Sequence, residues 1–147
     1  MKVAVLMGSP NDREKMAPAL QTLEEFGIES EEHVLSAHRT PDRVAAFAQR
    51  ARDDGFAALI CGAGMAAHLA GAVAANTTLP VIGVPLSGGA LDGVDALYAT
   101  VQMPSGVPVA TVAVDGAMNA AVLVVEMLAV SDDKLARKLE EYREKWR

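Results

Sequence analysis

The loop of residues 36–42 gathers a hydroxyl, an imidazole and a guanidinium on one short segment, Ser-Ala-His-Arg-Thr-Pro-Asp. Imidazole gains and loses a proton near neutral pH, so His38 could act as a general acid and base. Arg39 offers a planar fork of donors that suits a phosphate, and the hydroxyl of Ser36 could assist it. The alternative is a plain helix cap with a solvated histidine and arginine, because capping signatures are common.

The elements around this loop alternate between strands and helices. The predicted strands cover residues 2–7, 28–35, 56–61, 81–84 and 108–114. The predicted helices cover residues 13–26, 40–54, 66–76, 91–101 and 119–129, and a last amphipathic helix begins at a Ser131 cap. Such alternation indicates a parallel sheet covered on both faces. We therefore expect a single α/β domain over residues 1–147, a three-layer αβα fold with a five-stranded parallel sheet, flavodoxin-like, with a C-terminal amphipathic helix.

Two further loops follow predicted strands, at the sheet edge where ligands bind in such folds. After the first strand, backbone N–H groups and Ser9 could hold a phosphate, whereas the Asp12 carboxylate should face sugar hydroxyls or a cation. This loop lacks the lysine and the spaced glycines of the common phosphate motifs, so a turn followed by a helix cap is the alternative. After the third strand, Gly62, Ala63 and Gly64 let the backbone approach a small ligand closely.

The remaining histidines and the single cysteine fit structural roles. His33 alternates with apolar neighbours in a predicted strand, and Cys61 lies in an apolar run where it serves as a small buried hydrophobe. A lone histidine in an Ala- and Gly-rich helix, such as His68, is more often structural than catalytic. No pair of histidines or carboxylates has metal-ligand spacing, so we predict no metal site.

Composition and charge limit the classes of partner that the protein is expected to bind. Hydrophobic residues make up 51% of the chain but aromatic residues only 4%, which favours a core of small aliphatic side chains and apolar surface buried in a homo-oligomer. The net charge of -6, without a basic run, argues against a nucleic-acid partner. No signal peptide and no apolar run of membrane-spanning length are evident, so we expect a cytoplasmic protein with no membrane contact.

Four motifs in order resemble the PurE family, the carboxyaminoimidazole ribonucleotide mutases of purine biosynthesis. They are Met-Gly-Ser at 7–9 with Asp12, the 36–42 loop, Gly-Ala-Gly at 62–64 with Ala-Ala-His-Leu at 66–69, and Val-Gln-Met-Pro at 101–104. The resemblance covers nearly the whole chain. It implies a mutase without cofactor that moves a carboxylate from the exocyclic nitrogen of an aminoimidazole ribonucleotide to ring carbon C4 through bound CO2.

The resemblance also implies roles for individual residues. Ser9, Asp12 and Arg39 would bind the substrate with help from Ser36, and His38 would be the general acid and base. We assign Gly62, Ala63, Gly64 and His68 to the substrate-binding set. The segment 62–65 would form the closed pocket that keeps CO2 from escaping. The family is octameric with active sites between subunits, so the resemblance implies a homo-octamer.

The chain departs from the family pattern at several positions. Met65 stands where the family usually has Gly, and Ala70 where it often has Pro. Ser-Gly-Gly at 87–89 replaces a more polar pair, the 115–119 segment is shorter, and the family's tail after Trp146 is absent. These changes concern the fit of the CO2 pocket, loop contacts and the subunit interface.

Two other functions stay open. Direct carboxylation of aminoimidazole ribonucleotide by free CO2 is the reaction of a second PurE class, which carries a different segment after the third strand; Ala-Ala-His-Leu at 66–69 therefore favours the mutase. A non-catalytic flavodoxin-like binding module is the other candidate. A receiver domain would need paired acids after the first strand, and a flavin module would need a hydroxyl-rich phosphate loop; the sequence offers neither.

The C-terminal helices carry a prediction about assembly. The predicted helix 119–129 is apolar on all sides, and the last helix presents Leu135, Leu139, Tyr142 and Trp146 as one stripe. A lone three-layer domain has limited room to bury both. We expect part of this pair to pack on a neighbouring subunit; the alternative is that the last helix folds back on its own domain.

Overall fold

A computed structural model describes all 147 residues as five parallel strands in one sheet, flanked by six α-helices. The strands are β1 (Lys2–Met7), β2 (Glu29–Val34), β3 (Phe56–Gly64), β4 (Val81–Leu86) and β5 (Ala110–Thr111). The helices are α1 (Arg13–Glu25), α2 (Pro41–Arg50), α3 (Leu69–Ala74), α4 (Val94–Val101), α5 (Ala117–Ala129) and α6 (Asp133–Glu144). The strand order β2-β1-β3-β4-β5 is that of flavodoxin-like folds, which confirms the predicted fold class.

The two faces of the sheet build two separate cores. Val3 and Val5 of β1 point to one face, where α1 and α5 cover the sheet. Ala4 and Leu6 point to the other face, which α2 and α3 cover. This split follows from the alternation of side chains along a strand. Because both faces are covered, β1 is buried from Val3 to Met7 and holds the loop that follows it in place.

Several element boundaries differ from the predicted ones. Strand β3 runs on to Gly64, so α3 begins at Leu69 rather than at residue 66. Helix α4 begins at Val94 rather than at residue 91, because Asp92 and Gly93 adopt left-handed φ angles of 46° and 95°. Strand β5 pairs with β4 over only two residues, although residues 108–114 were predicted to be extended. None of these shifts moves a loop away from the carboxyl edge of the sheet.

Helix α6 folds back on its own chain. Leu135 is buried, and Leu139 and Tyr142 pack against the core under α1 and α5. The rings of Phe26 and Tyr142 lie 5.3 Å apart, and Lys138 Nζ donates to the Phe26 carbonyl at 2.7 Å. Leu135, Leu139 and Tyr142 therefore do not belong to the part of the C-terminal helix pair that we expect to pack on a neighbouring subunit.

The start of α6 also differs from the prediction. Asp132, not Ser131, is the N-cap, and its carboxylate accepts from the backbone N–H groups of Lys134 and Leu135 at 2.9 and 3.2 Å. A carboxylate in this position also interacts favourably with the helix dipole. None of the six helices is long and apolar enough to cross a membrane.

Candidate active site

A cavity of about 400 Å³ opens at the carboxyl edge of the sheet, between the loops that follow β1, β2, β3 and β4. Strands β2 and β3 flank β1 on opposite sides, so the chain changes direction across the sheet at this point. Ligands bind at such switch points in open α/β sheets. Eight of the nine predicted site residues line the cavity: Ser9, Asp12, Ser36, His38, Arg39, Ala63, Gly64 and His68.

The loop after β2 is braced by its own side chains. Thr40 Oγ1 donates to the Ser36 carbonyl at 3.0 Å and accepts from the Ser36 N–H at 3.1 Å. Ser36 Oγ accepts from the Arg39 N–H at 3.2 Å. Thr40 occupies the predicted N-cap position of α2, but its hydroxyl makes no bond to the helix because it turns back into the loop. The bracing presents the exposed side chains of His38 and Arg39 to the cavity.

The loop after β1 forms a short 3-10 turn. Ser9 Oγ accepts from the Asn11 N–H at 3.2 Å and caps this turn. Asp12 precedes α1 at the N-cap position, yet its carboxylate makes no side-chain cap bond. Partial burial raises the pKa of the Asp12 carboxyl, while a backbone hydrogen bond with Ser9 and the charge of Lys15 oppose the rise. The Asp12 carboxylate is therefore available to a polar ligand.

His38 and His68 form a hydrogen-bonded pair in the cavity. His38 Nε2 lies 2.5 Å from His68 Nδ1, and the rings meet edge to face with centroids 4.7 Å apart. In such a contact one ring nitrogen carries the hydrogen and the other accepts it. The pair therefore holds the His38 ring in one orientation and gives it a partner that can exchange protons. His68 is exposed beside His38, not buried as a purely structural histidine would be.

Charged groups are few around the cavity. Arg39 is the one arginine or lysine in its lining, and Asp12 is the one carboxylate. This pairing of a guanidinium with a carboxylate suits a ligand that has a phosphate at one place and hydroxyl groups at another. The chain has no group of three or more His, Cys, Asp or Glu side chains that could hold a metal ion.

The chain is similar to known proteins along nearly its whole length. A family model described as AIR carboxylase matches residues 2–147. The chain belongs to this family. It is 49% identical over 144 residues to the N5-carboxyaminoimidazole ribonucleotide mutase of Thermotoga maritima, a match that covers 98% of this chain and 84% of that protein.

Two further comparisons agree with membership in the AIR carboxylase family. The chain is 51% identical over 144 residues to the N5-carboxyaminoimidazole ribonucleotide mutase of Bacillus subtilis, covering 97% of this chain and 89% of the relative. The crystal structure of Treponema denticola PurE superposes with a TM-score of 0.88 at 29% identity, over 97% of this chain and 89% of that one.

Gly62 is the one predicted site residue that the AIR carboxylase fold does not bring to the cavity. It lies inside β3 and is buried. A Cβ at this position would come within 2.2 Å of Met16 Sδ, so Gly62 faces the core under α1. Gly62 thus allows the close approach of α1 to the sheet, while Ala63 and Gly64 continue the strand into the cavity wall.

Met65 lines the cavity in an unusual conformation. Its φ is 50°, in the left-handed region that disfavours side chains with a Cβ, and its side chain is exposed. The PurE resemblance leads us to expect Gly here, and Gly adopts this conformation without strain. The departure at Met65 therefore keeps the turn but places a thioether side chain at the cavity.

Several residues of the cavity lining are not among the predicted site residues. Asn11 and the loop Ser87, Gly88 and Gly89 also line the cavity. The position of the 87–89 loop in the sequence could have indicated its role, because it follows β4. The loops after β1, β2 and β3 lie at the same edge of the sheet. No sequence signal pointed to Asp115, which accepts from the Ser87 N–H and hydroxyl at 2.9 and 2.5 Å.

Proposed function

We propose that this chain is an N5-carboxyaminoimidazole ribonucleotide mutase, an isomerase of purine biosynthesis that uses no cofactor. Relatives about half identical over nearly the whole chain carry this name. The observation that carries the proposal is the His38–His68 pair, because it sits in one cavity with Arg39, Ser9 and Asp12.

Different side chains of the cavity bind different parts of the nucleotide. Arg39 binds the phosphate through its fork of donors, and the hydroxyls of Ser36 and Ser9 add further hydrogen bonds. Asp12 faces the ribose hydroxyls, since a carboxylate accepts hydrogen bonds from them and repels the phosphate. This arrangement leaves the aminoimidazole ring toward His38 and the backbone at Ala63 and Gly64.

His38 acts as the acid and then as the base. It donates a proton to the exocyclic nitrogen as the N–C bond to the carboxylate breaks, which releases CO2 and aminoimidazole ribonucleotide. Ring carbon C4 then attacks CO2, and His38 takes the C4 proton so that the ring regains aromaticity. One proton goes in and one comes out, so the histidine returns to its first state. His68 keeps the His38 ring oriented and can accept or return the proton between the two steps.

CO2 must stay bound between these steps, which requires a pocket closed to water. Met65, Ala63 and Gly64 line one part of the cavity, but in the single chain the cavity is open to solvent. We infer that neighbouring subunits complete it, in a homo-oligomer that the PurE resemblance makes an octamer.

The outer face of α4 supports this assembly. Val94, Tyr98 and Val101 repeat at four- and three-residue spacing in α4 and are 51%, 60% and 46% exposed. This spacing forms one apolar stripe along a helix face, and exposed apolar patches of this kind mark interaction sites. A cytoplasmic location stays a prediction from the sequence.

The reaction is tested by supplying the two possible carboxyl donors separately. Purified protein is given N5-carboxyaminoimidazole ribonucleotide without bicarbonate, or aminoimidazole ribonucleotide with bicarbonate, each with an enzyme-free control. A mutase converts the first substrate efficiently and the second only at high bicarbonate concentration. Efficient turnover of the second substrate alone would identify a direct carboxylase, and turnover of neither would contradict an enzymatic role.

A further inference from the structure

Ser87 is held at every one of its polar groups. Its N–H donates to Asp115 Oδ1 at 2.9 Å, and its hydroxyl lies 2.5 Å from Asp115 Oδ2. Lys15 Nζ donates to the Ser87 carbonyl at 2.6 Å and to the Ser87 hydroxyl at 2.8 Å. Because an ammonium only donates and a carboxylate only accepts, the hydroxyl must accept from Lys15 and donate to Asp115.

This network joins three distant parts of the chain at the cavity. Lys15 comes from the first turn of α1, Ser87 directly follows β4, and Asp115 precedes α5. Partial burial works against ionisation of Asp115, but the hydrogen bonds from Ser87 and the charge of Lys15 hold the pKa of this carboxyl below its usual value. The carboxylate is therefore charged at neutral pH, so both bonds from Ser87 to it are charge-assisted.

The backbone around the network is bent tightly. Asp115 has a φ of 58° and Gly89 a φ of 67°, both in the left-handed region. A Cβ added to Gly89 would lie 3.0 Å from Met65 Cγ, so the 87–89 loop packs against the Met65 side of the cavity. Left-handed backbone at a residue other than Gly persists when surrounding contacts enforce it. Here those contacts are the two bonds that the Asp115 carboxylate receives from Ser87, together with the bond from the Asp115 N–H to the Pro85 carbonyl at 2.8 Å.

We infer that Lys15 and Asp115 are positioning residues that clamp Ser87, so that the 87–89 loop forms a fixed wall of the substrate cavity. Neither residue lines the cavity, so they act through Ser87 rather than on the substrate. The inference rests on the proposed function for its substrate readout, and on the loop itself for a second readout that needs no substrate.

Loosening the clamp should weaken substrate binding more than it slows the chemistry, because His38 and His68 belong to other loops. Hydrogen bonds to charged groups contribute enough that losing the Lys15 pair should raise KM about tenfold. We expect Lys15→Met to raise KM by about this factor with kcat within roughly twofold of the original chain, and Lys15→Arg to restore part of the loss. Lys138→Met is the matched control. Lys138 lies in α6, away from the cavity, and also donates to a backbone carbonyl, that of Phe26.

The Asp115→Gly variant tests the two hydrogen bonds from Ser87 to the Asp115 carboxylate without changing the left-handed backbone at this position. Gly tolerates the left-handed φ, so this variant removes the carboxylate without adding strain. We expect a KM increase similar to that of Lys15→Met, and a double variant whose KM rises less than the product of the two single effects, because both act through Ser87. A double variant in which the two effects multiply, or a single variant with unchanged KM, would overturn the inference.

Amide hydrogen exchange of the ligand-free protein provides the independent readout. The Ser87 amide should exchange faster in Asp115→Gly than in the original chain, whereas amides in α6 should not change. Equal exchange at Ser87 would overturn the inference even if KM rises. If the original chain converts neither nucleotide, the proposed reaction fails while the exchange result still decides whether the clamp exists.

Discussion

His38 owes its proposed role to a residue 30 positions away in the chain. Its contact with His68 fixes which ring nitrogen faces its partner, and the braced loop of Ser36 and Thr40 fixes the backbone beneath it. A histidine on an unbraced loop would sample many orientations, and proton transfer depends on reach and direction. At the scale of single residues, the site is therefore a set of side chains locked by their neighbours.

His38→Asn should retain nucleotide binding and lose turnover. Asparagine keeps a polar side chain of similar reach but cannot transfer protons, and a general acid–base group contributes about 10²–10⁴-fold to rate. Single-turnover kinetics with N5-carboxyaminoimidazole ribonucleotide measures the loss, and isothermal titration with aminoimidazole ribonucleotide measures the binding.

The control for this experiment is His33→Asn. The His33 ring packs 4.6 Å from the ring of Phe47 and lies outside the cavity, so this variant should keep its turnover. If His38→Asn also turned over at a near-normal rate, His38 would have no part in the chemistry.

Arg39→Lys should weaken nucleotide binding, whereas His38→Asn should mainly reduce turnover. Lysine keeps the charge but loses the planar fork that bonds a phosphate through two parallel contacts, so the exchange is not conservative. We expect affinity for the nucleotide to fall by roughly tenfold or more, as for loss of a charged hydrogen bond, with a smaller change in kcat. Arg43→Lys, an exposed arginine of α2 outside the cavity, is the matched control. Unchanged affinity by isothermal titration would remove the phosphate role from Arg39.

At the scale of elements, Gly83 sets the distance between α4 and the sheet. A Cβ on this residue of β4 would lie 2.3 Å from Thr100 Cγ2 and 3.0 Å from Val109 Cγ1. Thr100 is buried and β-branched, and its hydroxyl donates to the Ala96 carbonyl at 2.7 Å, so it has little freedom to move. The short side chain at position 83 is therefore a condition for α4 to pack here.

Gly83→Ala should lower the free energy of unfolding by about 1–3 kcal/mol, the usual cost of an overpacked core. Urea denaturation measures the change through the transition midpoint. Gly8→Ala is the control, because a Cβ at Gly8 meets no atom within 4 Å, and its stability should stay near that of the original chain. Equal stability of the two variants would show that α4 adjusts freely.

The sequence predicted the order and type of the main elements because strand and helix periodicities differ along the whole chain. It also predicted most of the cavity residues, since parallel strands deliver their following loops to one edge. The start of α3 differs from the prediction because β3 runs on to Gly64, and the start of α4 differs because the left-handed turn at Asp92 leaves no composition signal. The link from Ser87 to Lys15 and Asp115 spans 72 and 28 residues, and such contacts follow from packing that no local pattern encodes.

At the scale of the whole molecule, α6 and α4 differ in how much of their apolar surface is buried within the chain. Helix α6 packs Leu135, Leu139 and Tyr142 against the core under α1 and α5, so these side chains are covered within one chain. Helix α4 has no such cover, and its stripe stays exposed. We therefore expect the proposed assembly to use the exposed stripe of α4.

Tyr98→Glu tests this assembly because it puts a charge at the centre of the α4 stripe, where burial against a second copy would desolvate it. We expect light scattering to give a smaller particle mass than for the original chain, with lower turnover if neighbouring subunits complete the cavity. Trp146→Glu is the matched control: this aromatic side chain is 76% exposed beyond α6, and its replacement should leave the mass unchanged. A Tyr98→Glu protein that keeps its full mass would show that α4 is not an essential interface, and a lower mass with full turnover would show that each chain completes its own site.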